Sequence, residues 1–361
     1  MTPKRFSTPV DQLVKAAEVS HFTEGFAMPA SVVSVANSDS RLKVLTAALQ
    51  APLENVLGME PDYRGKVRDV FFKKESSSSS AQELFLVATD RVSAFDRILG
   101  TIPLKGSLLT EQSAFWLEKA SSIAPTHFLE RIAPQVMRCK KATPLPIELI
   151  VRGYLAGSLM RTPAAERGKE YGLELPQDLQ NHQRFETPIV TPTTKADVGH
   201  DEPISLMAIP AAMGVKQKHL DAAVEYARAL FSAGGAFAEK NGLILVDTKY
   251  EFGLIDDEVV LIDEVHTADS SRFWRANTYV ERLAENKAPD MLDKERLRGW
   301  LLEQGFSGDG EAPAIPDDVK LDLADHYWQL TEQITGQPFT VDVAQLGEVE
   351  TLLRTALSHA K

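Results

Sequence analysis

Residues 243–266 read LILVDTKYEFGLIDDEVVLIDEVH, two runs of Val, Ile and Leu around the acidic triplet Asp256-Asp257-Glu258. That is the pattern of a β-hairpin with a short polar turn. Asp247, Lys249 and Glu251 alternate along the first run, so the two-residue period of a strand sets all three on one face. With 256–258 as a three-residue loop, Ile255 pairs with Val259 and Glu251 lies directly opposite Asp263. Carboxylates facing each other across strands repel unless a cation lies between them. Oxygen ligands from one or two carboxylates, completed by phosphates and water, are how Mg²⁺ is usually held. A solvated charged face neutralised by Lys249 fits the same spacing, and a two-residue turn would set Ile262 opposite Glu251 instead.

The chain has 361 residues, room for about two domains and a large core. Lys plus Arg number 39 against 51 Asp plus Glu, a net charge of −12. That balance opposes coating nucleic acid or an acidic membrane, but leaves anionic small molecules wherever basic residues cluster. The single cysteine, Cys139, excludes an internal disulfide framework and a Cys-based zinc site and points to a reducing compartment. No apolar run approaches the length of a membrane span, and the N-terminus lacks a signal-peptide core. A soluble cytoplasmic protein with no nucleic-acid or membrane partner is expected, as a monomer or a small homo-oligomer.

Residues 1–55 read as an extension, with short amphipathic helices over 10–19 and 41–50. Next, Arg64-Gly65-Lys66-Val67-Arg68 places a glycine and three basic residues at the entry to an apolar strand. A glycine lets backbone amides approach an anion closely, which suits a phosphate-covering turn, and a basic surface strand is the plainer alternative. The apolar run 84–89 ends in Asp90 and a polar loop with Ser93 and Asp96, where strand ends commonly carry sites. Asp90 reads equally well as a helix or turn cap. A helix is expected over 108–120, and the Pro-bearing stretch 137–146 resembles a linker. In Ile147-Glu148-Leu149-Ile150-Val151-Arg152 the arginine must reach the rim or be paired; its planar fork suits a phosphate or carboxylate, and Gly157-Ser158 follow at the exit. Residues 161–210 read as a long functional loop with Lys195, His200 and Asp201 as its candidates. A helix over 216–241 leads into the hairpin, Arg272 lies in a hydroxyl-rich loop after it, and Asp317 is expected to cap a C-terminal helix.

Taken together, the strings GKVRDVFF, LVATDRVSAFD, IPLKGSLLT, IELIVRGYLAGS, TPTTKAD followed by HDEPIS, LILVDTKYEFG and LIDEVHTADSSRFW resemble those of the SAICAR synthetase family of purine biosynthesis, in order and spacing from about residue 60 to about residue 335. The resemblance implies an α+β, two-lobed fold related to ATP-grasp and kinase-like nucleotide-binding folds, with antiparallel sheets and flanking helices. It implies an N-terminal extension over 1–55, a lobe with the phosphate-covering turn over 56–145, a central lobe over 146–290 and a helical segment over 291–361. It also implies an ATP- and Mg²⁺-dependent ligase joining the carboxylate of a phosphoribosyl aminoimidazole carboxylate (CAIR) to the amine of L-aspartate through an acyl phosphate. A kinase-like phosphotransferase and a non-catalytic nucleotide-binding protein are the alternatives. Under the resemblance Arg64, Gly65, Lys66, Arg68 and Lys249 meet ATP phosphates, and Asp247 orders Lys249 or the ribose. Glu251 and Asp263 ligate Mg²⁺. Arg152, Ser158 and Arg272 hold the phosphoribosyl phosphate, with Ser93 and Asp96 at the aminoimidazole end, and Lys195 and Asp201 serve the aspartate.

Overall fold

The computed structural model describes residues 38–54, 58–73, 82–195, 201–341 and 347–358. In chain order the strands are Tyr63–Arg64 (β1), Arg68–Phe72 (β2), Glu83–Ala88 (β3), Arg91–Ala94 (β4), Arg97–Thr101 (β5), Phe128–Ala133 (β6), Val136–Lys140 (β7), Thr143–Tyr154 (β8), Arg184–Thr194 (β9), Leu243–Ile255 (β10), Glu258–Ile262 (β11) and Ser271–Arg275 (β12). One antiparallel sheet runs β1-β2-β3-β7-β6 and a second runs β11-β10-β8-β9 with β12 also on β10, while β4 and β5 form a separate ribbon. The expected α+β architecture with antiparallel sheets and flanking helices is what the chain forms.

The second sheet is organised around β10. Strand β8 lies along one of its edges, and β12 and β11 share the other. The turn after β10 corrects the expected register. Ile255 pairs with Glu258, so the turn has two residues, Asp256 and Asp257, with φ of 52° and 65°. Two successive left-handed residues are the signature of the type I′ turn, whose twist matches that of the flanking strands. Glu251 therefore faces Ile262, and Asp263 sits one residue past the end of β11, itself at φ 62°.

Two other expectations are corrected. The stretch 137–146 is no linker: β7 and β8 occupy nearly all of it, and β8 runs across the lobe boundary expected at 145. Nor is 161–210 one long loop, because β9 pairs along β8 through Thr194. Strand β9 carries Pro188 and Pro192, which a sheet tolerates on an edge. His200, Ser76–80 and the helix expected over 10–19 lie outside the described residues.

Helix Gln217–Lys240 lays Leu220, Ala223, Ala227, Leu230 and Phe231 against the second sheet, the 3–4 spacing of an apolar stripe. The first sheet is covered on both faces. Alternate residues of β3 divide between them: Leu86 joins the main core, and Phe85 and Val87 point the other way to meet Phe71, Val136, Val349 and Leu353. Helix Lys105–Ala120, starting three residues before its expected N-terminus, covers the first face, and helix Val349–Ser358 covers the second. Helix Ser38–Leu49 packs on helix Asp317–Thr335 through buried Leu45 and an Arg41 to Asp325 ion pair at 2.8 Å. The latter helix starts at Asp317 with no side-chain cap.

Asp90 is the cap. Its Oδ1 accepts the Gly106 N–H at 2.9 Å and its Oδ2 the Leu53 N–H at 3.0 Å; burial nonetheless pushes its pKa up to about 6. The helix start is tight: a Cβ on Gly106 would stand 2.3 Å from the Ala88 carbonyl oxygen. Gly106→Ala is therefore expected to cost about 1–3 kcal/mol by overpacking, read from the urea midpoint; an unchanged midpoint would contradict that placement.

Candidate active site

The face of β10 predicted to carry charge does so, and its neighbours come from β8 and β9. Lys249 donates to Glu148 Oε1 at 2.8 Å and to Glu251, and Lys195, just past the end of β9, donates to the other oxygen of Glu251. The carboxylate directly across from Glu251 is thus Glu148, not Asp263. The sequence reading missed it, although the two-residue period already places Glu148 on the same face as Arg152.

The two glutamates are buried, Lys249 is half-buried and Lys195 exposed, and the four set one another's charge. Burial acts to raise the Glu251 pKa, but Lys249 and Lys195 outweigh it and hold the carboxyl well below the usual range. Glu148 goes the other way, raised by burial and by Glu251 against the pull of Lys249, with Asp201 adding to the rise. Asp263 is also raised, by burial first, then by Glu251 and Glu264 against Arg68. Burial would lower Lys249, yet Glu251 and Glu148 keep it protonated. Three carboxylates therefore crowd the lysines, and two of them are short of positive charge.

Arg68 has partners other than those expected of it. Its guanidinium is buried, donating to Asp263 Oδ1 at 3.1 Å and to Glu264, so its fork is engaged beneath the carboxylates. Lys66, expected among phosphates, donates to Asp96, expected at the ring end of another substrate. Arg64 is half-exposed, 3.7 Å from both Glu60 and Asp69. Ser93 is buried in β4.

Four residues before Glu251 on β10, Asp247 stands between two arginines, in register with Arg152 of β8 on one side and Arg272 of β12 on the other. Arg272 Nη1 donates to Asp247 Oδ2 at 2.7 Å, and Arg152 Nη1 to the same oxygen at 3.2 Å. Arg152 is further aimed by Thr191 Oγ1 at 2.8 Å and reaches Ser158 Oγ at 3.4 Å. One carboxylate thus orients two forks and leaves an excess of positive charge. Arg161, one turn beyond Ser158 and not singled out from sequence, joins this group: burial lowers its pKa, Glu295 opposes, and Arg298, Arg272 and Arg152 lower it further. Gly157, at φ 62°, gives Arg272 its place, since a Cβ there would lie 2.6 Å from Nη2.

The family described as SAICAR synthetase matches residues 62–314. This chain belongs to the SAICAR synthetase family. Among SAICAR synthetases, the phosphoribosylaminoimidazole-succinocarboxamide synthase of Cytophaga hutchinsonii is 41% identical over 280 residues, 77% of this chain and 88% of its own. The synthase of that name from Legionella pneumophila (strain Lens) is 41% identical over 295 residues, 80% of this chain and 92% of its own. Two solved structures are similar in fold: a Saccharomyces cerevisiae SAICAR synthase complexed with SAICAR (TM-score 0.65, 31% identity, 80% of this chain and 98% of that one), and a SAICAR synthetase in complex with ADP (TM-score 0.58, 25% identity, 77% and 99%). The matched residues contain the whole of β10 and its neighbours in the second sheet, while helices Ser38–Leu49 and Val349–Ser358 lie outside them.

Proposed function

We propose that this chain joins the carboxylate of CAIR to the amine of L-aspartate at the expense of ATP, giving SAICAR, ADP and phosphate in purine biosynthesis. The observation that carries the reading is the layout of β10 within this family. The arginine-oriented anion site at Asp247 and the lysine–carboxylate cluster at Glu251 share one face, four residues or about 13 Å apart along a strand. A nucleoside monophosphate fits between them, phosphate at Arg152, Ser158 and Arg272, and ring carboxylate toward Lys249. A kinase-like phosphotransferase is not favoured.

A carboxylate does not exchange oxide for an amine. An oxygen of the CAIR carboxylate attacks the γ-phosphorus of ATP, the bond to the β-phosphate oxygen breaks, and ADP departs. The aspartate nitrogen then attacks the acyl carbon, phosphate leaves, and the nitrogen gives up a proton. Both steps gather anionic oxygen, so what the protein provides is position and positive charge. Lys249, held protonated by Glu148 and Glu251, stays a cation where that charge develops. Lys66 reaches the phosphates on releasing Asp96, and Asp96 turns to the aminoimidazole. Lys195 and Asp201 flank the place where aspartate enters.

The donor set fits Mg²⁺. Glu251 and Asp263 are hard oxygen donors, and Glu251 is close enough to raise the proton affinity of Asp263, a repulsion that a divalent cation relieves. Among the described residues no group of three or more His, Cys, Asp or Glu forms a protein-only cage, and Mg²⁺ ordinarily completes its shell with phosphate and water. Held by Glu251 and Asp263, the ion would supply positive charge against the ATP phosphates. The buried Cys139 is a free thiol, in keeping with a cytoplasmic enzyme, and no described helix is long and apolar enough to cross a membrane.

Purified protein incubated with CAIR, ATP, Mg²⁺ and aspartate should release ADP only when all four are present, with SAICAR formed in equal amount. ADP release that ignores aspartate would defeat the proposal. Gly157→Ala should push Arg272 aside and raise the KM for CAIR by about tenfold, leaving that for ATP alone; an equal rise in both would contradict the phosphate assignment.

A further inference from the structure

Arg91 has no place in the chemistry above, yet it is buried and divides its guanidinium between three backbone carbonyls and the Asp69 carboxylate. Its Nε donates to the Lys66 carbonyl at 3.2 Å and its Nη2 to the Gly65 carbonyl at 3.1 Å. Nη2 also donates to Asp69 Oδ1 at 2.7 Å, and Nη1 reaches the Glu54 carbonyl. Asp69 is fully buried, so the fork is itself held from behind. Two residues earlier, Thr89 donates from both Oγ1, at 2.8 Å, and its backbone N–H, at 3.0 Å, to the Val67 carbonyl. Three successive carbonyls of the turn are therefore bonded from one side.

The trans peptide plane turns that into a statement about the other side. Each planar unit carries its N–H opposite its C=O, and the chain has no cis bond among the described residues. Fixing the carbonyls of Gly65 and Lys66 inward thus fixes the amides of Lys66 and Val67 outward. Those two amides find no acceptor among the described residues, although the turn around them is fully bonded, with Gly65 N–H donating to the Arg68 carbonyl at 2.8 Å. Paired outward amides beside a lysine form an anion-binding concavity.

We infer that Arg91 is a positioning residue for ATP: by holding the carbonyls of Gly65 and Lys66 it presets the two amides that receive the phosphates, with Thr89 securing the next peptide. The inference rests on the reading of this turn as the phosphate-covering element. Lysine cannot span two carbonyls and a carboxylate at once, because it lacks the planar fork. Arg91→Lys keeps the charge opposite Asp69 but releases the turn.

The test is steady-state kinetics on the full chain, varying ATP and CAIR separately, for Arg91→Lys, Thr89→Val and Lys66→Ala. Arg91→Lys should raise the KM for ATP by about tenfold and leave that for CAIR within about twofold, a split that a general loss of folding would not give. Thr89→Val, which keeps the backbone bond to Val67, should shift the ATP value the same way by less, and it decides the matter should Arg91→Lys fail to fold. An ATP KM that stays at the wild-type value in Arg91→Lys, or that moves together with the CAIR KM, overturns the positioning role. If Lys66→Ala raises the ATP KM while Arg91→Lys and Thr89→Val do not, only the positioning role falls. If Lys66→Ala also leaves it unchanged, the phosphate reading of the turn falls and the positioning role with it.

Discussion

Glu251→Gln should lower kcat by about a thousandfold, the scale of removing one preorganised charge from a transition state. The amide keeps the shape and removes the charge that two lysines answer to. Lys249 and Lys195 both donate to Glu251, so the substitution leaves two ammonium groups with Glu148 as the one carboxylate bonded to them and Asp263 as a more distant counter-charge, and it takes one anionic ligand from Mg²⁺. Raising Mg²⁺ should recover part of the loss if ion binding is weakened, and none of it if lysine placement dominates. Asp263→Asn should act in the same direction with a smaller effect on the lysines, since its contact is with Arg68. Turnover of Glu251→Gln near the wild-type rate at ordinary Mg²⁺ would contradict the assignment of this carboxylate.

Arg152→Ala is expected to reduce kcat/KM for CAIR by about a hundredfold or more, from the loss of charge-assisted bonds to a phosphate, with the KM for ATP little changed. Arg272 alone cannot compensate, because its second nitrogen is engaged by Glu295 at 2.9 Å. Asp247 would also lose one of its two cations, so thermal melting must accompany the kinetics to separate misfolding from lost binding. An unchanged response to CAIR would remove Arg152 from the phosphate site. Lys in its place should recover little, since one ammonium cannot serve Asp247, Thr191 and an anion in the geometry of the fork.

The face of β10 was legible because strand periodicity is local: alternate charges in an apolar run share a side whatever the tertiary structure. The clustering of Arg152 with Ser158 was legible for a related reason, since an arginine inside β8 needs a partner, and residues 152 and 158 lie on either side of one strand exit. What escaped depended on contacts far apart in sequence. Glu148 meets Glu251 only because β8 happens to flank β10. The hairpin register failed at Asp256-Asp257, where the usual glycine signal of a type I′ turn is missing and aspartate adopts the left-handed conformation in its stead. Prolines made β9 and the start of β8 look like loop, because their tolerance on a sheet edge depends on a strand order that sequence spacing does not contain. Arg68 looked like a phosphate ligand beside Lys66, but Lys66 belongs to the turn whereas Arg68 opens β2 and is buried, turning inward to Asp263 and Glu264, which lie far along the chain.

The helix Val349–Ser358, which seals the outer face of the first sheet through Val349 and Leu353, bears on how the chain is made. Synthesis runs from the N-terminus, so Phe71, Phe85 and Val87 leave the ribosome long before the helix that keeps them dry. Throughout translation of the second sheet that face is an uncovered apolar patch beside strand edges, the kind of surface that recruits chaperones and seeds aggregation. A nascent chain stalled before residue 349 should accordingly be captured by a holdase, and release should coincide with emergence of that last helix.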